Sequence, residues 1–333
     1  MQGNASYLKR FLLSRSTSVL LVLILIVIFF AVFSPEHRFV DPDNLRVLLS
    51  LGAEFSIIAL GVGMLMICGE FDLSVGSILA FCSFIFLKLF ELHLSLLFIA
   101  VITIVVGGLL GLLNALITVR AGIPSFITTL GTMMFWRGLT ILLSGGEQTA
   151  CDVSALNTPA ASYFLSFFTG QIGKFLPVQF FWFAIFAIIL GVLLHRHRFG
   201  NWVYATGDNK DAARAMGINT DWVKTVCFIV VGLLCGFVAC AQIGRLACFT
   251  SRTGDGWELK AVAASVVGGT SLRGGMGNMF GIFLGATTIS VIENGLVVLR
   301  IPYFWTYVFF GLVILLSVLS SMYIERKQME MHR

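Results

Sequence analysis

Charge is what this chain has least of. Charged residues make up 12% of its 333 residues, about half of the ~25% usual in a soluble domain. The balance of 22 Lys and Arg against 17 Asp and Glu leaves a net charge of +5. So small an excess, carried on loops and termini, orients a chain in a membrane rather than recruiting nucleic acid. Sequence motifs for catalysis are missing too. There is no GxxxxGK[ST] phosphate loop, no HExxH, no GxSxG and no GxGxxG between a strand and a helix. The chain thus carries no recognisable means of binding or hydrolysing ATP. The seven cysteines form no CxxC pair and no Cys/His cluster with zinc spacing, so neither a metal centre nor a cofactor is expected. Five of them, Cys68, Cys82, Cys227, Cys235 and Cys240, sit in apolar runs, where cysteine serves as a small buried hydrophobe.

What is abundant is apolar sequence. Hydrophobic residues reach 58%, with 31 Phe, and the mean hydropathy is +0.94. Apolar segments fall at about 17–33, 47–68, 75–90, 94–118, 126–143, 178–195, 224–243, 276–298 and 303–322. A tenth piece, 258–270, is too short to span a bilayer core as a regular helix. It reads as a half-helix or re-entrant segment whose backbone protein or water must shield. The first run follows Lys9, Arg10 and Arg15 like a signal peptide, but it lacks an A-x-A cleavage pattern and is expected to be a retained span.

No Gly/Ser linker or charge run divides residues 1–333, which read as one all-α, polytopic transmembrane domain. Lys and Arg concentrate at the N-terminus, in the loop His195–Lys224 and in the tail from Glu325, whereas the long loop 145–177 has one Lys and no Arg. Placing the basic regions in the cytoplasm puts both termini inside and predicts about ten membrane segments, counting 258–270 as one. The loop 145–177 is then extracytoplasmic. It is either a connection with an interfacial helix, or a docking surface using Phe164, Phe167 and Phe168. A faint internal echo links Gly107–Gly111 with Gly277–Gly281, each expected to open a small-residue helix, as in duplicated transporter halves.

Polar residues inside the apolar runs are the candidate pathway. Asp72 or Ser74 can cap the helix starting near Val75, and two acids, Glu70 and Asp72, at a helix break also suit a gate or hinge. Asn114 continues the small-residue face of Gly107 and Gly111. Its amide either bridges helices or faces a polar pathway. Thr128, Gly131, Thr132 and Phe135 share a helical face that suits a hydroxylated solute, or interhelical hydrogen bonds. Glu293 and Asn294 interrupt 276–298. A mid-bilayer carboxylate costs about 2.5–3.5 kcal/mol on insertion scales, so Glu293 should face a bundle interior or polar cavity. Arg137 is read as interfacial or snorkelling.

The most distinctive stretch is the polar loop Gly207–Asn219. Asp208 or Asn209 can N-cap a short helix, Asp211 favours its first turn, and Gly217 can end it in the left-handed conformation. About two turns of helix are marginal alone in water, so its Ala and Met surface implies that something packs against it.

Four segments together resemble the permease subunit of ribose-type ABC importers: Gly69–Ser77, Gly122–Thr132, Gly200–Asn219 and Ala261–Gly275. The third, with Tyr204, Gly207, Asn209, Ala212, Ala213, Gly217 and Ile218, is the most specific. The resemblance implies a bacterial inner-membrane protein that imports a simple sugar or related polyol. It further implies a cytoplasmic ATP-binding subunit, an extracytoplasmic solute-binding protein, a second permease copy or paralogue, and surrounding lipid. The loop 196–223 then carries the ATPase-coupling helix, with Gly207, Asp208, Asn209, Ala212, Ala213, Arg214 and Gly217. Two departures stand out: Glu70 and Asn201, where the family commonly has Gly and Arg. Two rivals remain open at the level of sequence. One is an ion-coupled secondary transporter using Asp72 or Glu293. The other is a membrane-embedded enzyme, for which no nucleophile–base spacing is found.

Overall fold

The computed structural model describes residues 15–173, 175–302, 304–306, 308–309, 311–312 and 315. The basic termini (Lys9, Arg10 and 325–333) lie outside these residues, and so does most of the expected segment 303–322. Helices dominate: α1 Arg15–Phe33, α2 Pro42–Ile67, α3 Val75–Glu91, α4 Leu96–Arg120, α5 Ser125–Ser144, α6 Pro159–Phe168, α7 Val178–Arg196, α8 Arg198–Asp208, α9 Lys210–Ala215, α10 Thr220–Leu246, α11 Trp257–Val267 and α12 Met279–Val298. A 3-10 turn, Pro35–Val40, joins α1 to α2. Strand is confined to two-residue ladders, Thr149–Ala150 with Cys248–Phe249 and Gln171–Ile172 with Leu176–Pro177.

Among the described residues, six helices are long and apolar enough to cross a membrane: α2, α4, α5, α7, α10 and α12. The apolar part of α1, Thr17–Phe33, and the 17-residue α3 are shorter. The short segment expected near 258–270 is α11, with 11 residues, about 16 Å at 1.5 Å per residue.

Local sequence explains where the helices begin. Asp41 accepts from Asp43 N at 2.9 Å ahead of Pro42, Asn219 accepts from Trp222 N at 3.0 Å, and Asn278 accepts from Gly281 N at 2.6 Å. Each satisfies a donor that the first turn of a helix leaves without a partner.

Helix α2 is the axis of the bundle, buried without interruption from Ala53 to Ile67 and packed against α7, α10, α11 and α12. Its only acid in this stretch, Glu54, is fully buried and takes two 2.8 Å bonds from Arg245 of α10. Helices α4 and α10 cross in backbone contact. A Cβ at Gly107 would lie 2.2 Å from Gly232 O, and one at Gly111 2.2 Å from Phe228 O. The small-residue stripes expected on these helices are therefore packing surfaces. The internal echo needs correction: Gly107 lies in the middle of α4, whereas Gly277 precedes α12.

The connecting segments gather at two opposite ends. At one, Phe71 N donates to Ser125 Oγ at 3.1 Å, and Gly275 N donates to Ile67 O at 2.8 Å beside Gly207. At the other, Arg137 donates to Ser251 O and Thr253 O at 2.7 and 2.9 Å, and Cys151 N donates to Ala247 O at 2.9 Å. Arg137 thus ties the end of α5 to the loop after α10. In the long loop, α6 buries Phe164 and Phe168 against Phe86 and Phe237. Those two rings anchor the loop to the bundle, and only Phe167 of the three is half exposed.

Candidate functional site

The expected pathway residues separate into two groups. The first lies at the break between α2 and α3. Asp72 accepts from Ser74 N at 2.8 Å and Ser74 Oγ at 2.6 Å, and the Asn114 amide donates to Ser74 Oγ at 2.8 Å and Asp72 Oδ2 at 3.3 Å. All three side chains are fully buried. Asp72 therefore organises the turn into α3 from behind, and Asn114 bridges α4 to that turn. Glu70, one of the two departures in sequence, has its own explanation. It forms a buried ion pair with Lys224 near the start of α10. Two opposite charges are paired at this point.

On α5, Thr128 is buried and its Oγ1 has no hydrogen-bond partner among the described residues. Thr132 donates to Thr129 O at 3.3 Å. The face that begins buried at Thr128 reaches the surface at Gly131 and Phe135, the latter 59% exposed.

The second group lies on α12. Glu293 Oε1 accepts from Lys260 Nζ of α11 at 2.5 Å. Asn294 and Asn44 exchange two amide bonds, at 2.9 and 3.0 Å. Glu293 and Asn294 line a cavity of about 250 Å³ between α2, α11 and α12, together with Phe55, Trp257 and Ser290. Lys224, Lys260, Asn44 and Trp257 went unread in the sequence. Each lies in or beside an apolar run, and a search for opposite charges among the buried runs would have found both lysines.

The loop 196–223 forms α8 and α9. Asn209, rather than Asp208, is the cap, accepting from Asp211 N and Ala212 N at 3.1 and 3.0 Å. Asp208 instead ends α8. Gly217 takes φ +83°, as expected for its stop, and Ile218 N closes the turn on Ala213 O at 3.1 Å. Arg214 reaches forward to Thr220 Oγ1 at 2.9 Å and Asp221 at 2.5 Å, bracing α9 against α10. Ala213 is 1% exposed, whereas Ala212, Ala215 and Met216 face outward, Met216 at 71%.

This loop joins the bundle through glycines. A Cβ on Gly207 would fall 1.9 Å from Ile67 O and 2.6 Å from Gly275 N, and one on Gly274 2.7 Å from Gly69 Cα. The end of α8 thus touches the break after α2 and the segment before α12 at the same point. Tyr204 adds a tie, donating to Gly277 O at 2.7 Å. Burial pushes its phenol above the ordinary range, which keeps it a neutral donor. No group of three or more His, Cys, Asp or Glu able to hold a metal ion occurs among the described residues.

Residues 44–318 match the family described as the branched-chain amino acid transport system / permease component. The autoinducer 2 import system permease protein LsrC of Salmonella typhi is 32% identical over 306 residues, covering 91% of this chain and 84% of that protein. LsrC of Yersinia enterocolitica serotype O:8 / biotype 1B is 33% identical over 287 residues, covering 84% and 75%. The ribose import permease protein RbsC of Haemophilus influenzae is 30% identical over 320 residues and covers 96% of each. No solved structure matches the chain.

Proposed function

The chain belongs to the branched-chain amino acid transport system / permease component family, and on that premise we propose that it is the membrane subunit of an ATP-driven importer of a simple sugar or related polyol. It works with a separate ATP-binding subunit on the cytoplasmic side, a solute-binding protein on the other side, and a second permease copy or paralogue in the bacterial inner membrane. The chain is a transport subunit, not an enzyme. Ribose and autoinducer 2 are named for its relatives, which supports the sugar class. Its ten segments would leave both termini in the cytoplasm, with 196–223 on that side and 145–177 outside. The basic loops support this orientation.

The observation that carries the reading is the junction of α8 and α9 with the bundle. A short, capped helix presents Ala212, Ala215 and Met216 outward, and the backbone at Gly207 abuts both Ile67 and Gly275. A push on α9 therefore reaches α2 and α12 through backbone atoms, with no flexible side chain in between. Alternating access follows if that push rocks those helices between inward and outward openings. The rival ion-coupled reading has less to stand on. Glu70 and Glu293 are each paired with a lysine, and Asp72 is occupied by bonds from Ser74 and Asn114.

Met216→Asp tests the coupling surface, because the side chain faces away from the bundle. The variant should reach the membrane in normal amount, and uptake by the assembled importer should fall at least about tenfold, the loss expected of an interface anchor. Normal uptake would remove the coupling role.

A further inference from the structure

The cavity beside Glu293 has a wider space above it. A vestibule of about 600 Å³, lined by Glu36, Arg38, Asp41, Asn44 and Arg300, opens at the end of the bundle opposite Gly207. Val297 lines both spaces, while Asn44 lines only the vestibule and Asn294 only the inner cavity. The reciprocal amide bonds of Asn44 and Asn294 thus stand at the boundary. Asn44 is held from behind, since its amide also donates to Phe39 O at 2.9 Å. Asn294 makes no other side-chain hydrogen bond among the described residues, so the latch can release from its side.

The inner cavity has a defined chemistry. Trp257 and Phe55 meet edge-to-face, with centroids 5.7 Å apart, and offer a rigid apolar wall. Glu293, Asn294 and Ser290 supply a carboxylate oxygen, an amide and a hydroxyl within one helical turn of α12. Lys260 neutralises Glu293 through Oε1, so the site carries no net charge to hold an anion. A ring face for C–H groups beside a short row of acceptors and donors suits a polyhydroxylated ring. At about 250 Å³ the space lies below the ~300–1,000 Å³ of sites for drug-sized ligands, which suits a single monosaccharide.

We propose that this cavity is a binding subsite for one uncharged monosaccharide in transit, reached from the vestibule past the Asn44–Asn294 amide latch. The proposal rests on the sugar-importer reading and deepens it. It also divides the pathway candidates: Glu293 and Asn294 touch the solute, whereas Asp72, Ser74 and Asn114, sealed inside the bundle, hold the fold of the break.

The test uses the complete importer in vesicles, with Cys248→Ser removing the half-exposed cysteine and Leu51→Cys placing a thiol on the cavity wall. D-ribose, D-xylose, D-galactose and myo-inositol serve as probes, and the sugar that the unsubstituted importer accumulates is carried forward. That sugar should slow modification of Cys at position 51 by a small methanethiosulfonate at least about threefold. Its phosphate ester should not, and the adduct should block uptake. Val47→Cys, one turn away on the same wall, gives the same readout if the first variant does not assemble. Unprotected labelling at both positions with intact uptake in the unsubstituted importer overturns the subsite alone. Failure of the unsubstituted importer to accumulate any of the four sugars overturns the sugar reading, and the subsite with it.

Discussion

At 64–70 and 264–270 the chain ends two helices with one pattern of hydrogen bonds and then fills the two breaks differently. Cys68 N donates to Met64 O, Gly69 N to Met66 O and Glu70 N to Leu65 O. In the second break Gly268 N donates to Ala264 O, Gly269 N to Val266 O and Thr270 N to Ser265 O, all six at 2.9–3.1 Å. Gly69 and Gly269 take φ +85° and +88°, the left-handed stop that only glycine adopts without penalty. After the first stop come charge and a tight polar network: Glu70 with Lys224, and Asp72 with Ser74 and Asn114. After the second come Thr270, whose buried hydroxyl has no partner among the described residues, and then Gly274, Gly275 and Gly277. The first break is pinned from three helices. The second is glycine backbone packed directly on the end of α8 and tied to it by Tyr204 on Gly277 O. One shared cap with two fillings separates an anchor from a joint.

The largest effect should come where the two breaks meet. Gly207→Val would drive a side chain into Ile67 O and Gly275 N. Overpacking of this kind costs about 1–3 kcal/mol or more. Here the obstacle is backbone on both sides, so the expected outcome is loss of folded protein, read by detergent-solubilised yield on size exclusion.

Matched substitutions at 224 and 270 compare the breaks directly. Lys224→Met strands a buried Glu70 and should lower stability by about 3–5 kcal/mol, the usual result of breaking a buried pair. Thr270→Val removes a hydroxyl that has no partner among the described residues and should change stability by less than about 1 kcal/mol. Thermal unfolding of the purified variants checks both, and equal losses would erase the distinction between anchor and joint.

Much of this was legible in the residues. The helices announced themselves by apolar length, Gly217 by its place after a capped turn, and the short segment near 258–270 by having too few residues to span. The break at Asp72 was legible, but not its bonding: Asp72 accepts from Ser74 N and Oγ, and no side chain caps the first turn of α3. What sequence could not supply was partnership across the bundle. Glu70 reads as an anomaly until Lys224, 154 positions away, is seen beside it. Asn294 reads as a lone amide until Asn44 faces it. Ala213 looked like part of the docking surface because the Ala and Met residues of the short helix read as one packing face, yet Ala213 turns inward against the bundle. Gly207 was legible as a family position but not as a contact, since a backbone-to-backbone approach leaves no side-chain signature.

The proposal that force enters this chain from outside, through α9, meets its most direct test in vesicles containing the chain with and without its ATP-binding and solute-binding partners. Accumulation of sugar against its gradient is the quantity measured. It should appear only in the complete assembly and only with ATP. Uphill accumulation by the chain alone, under a proton gradient and without ATP, would contradict that proposal.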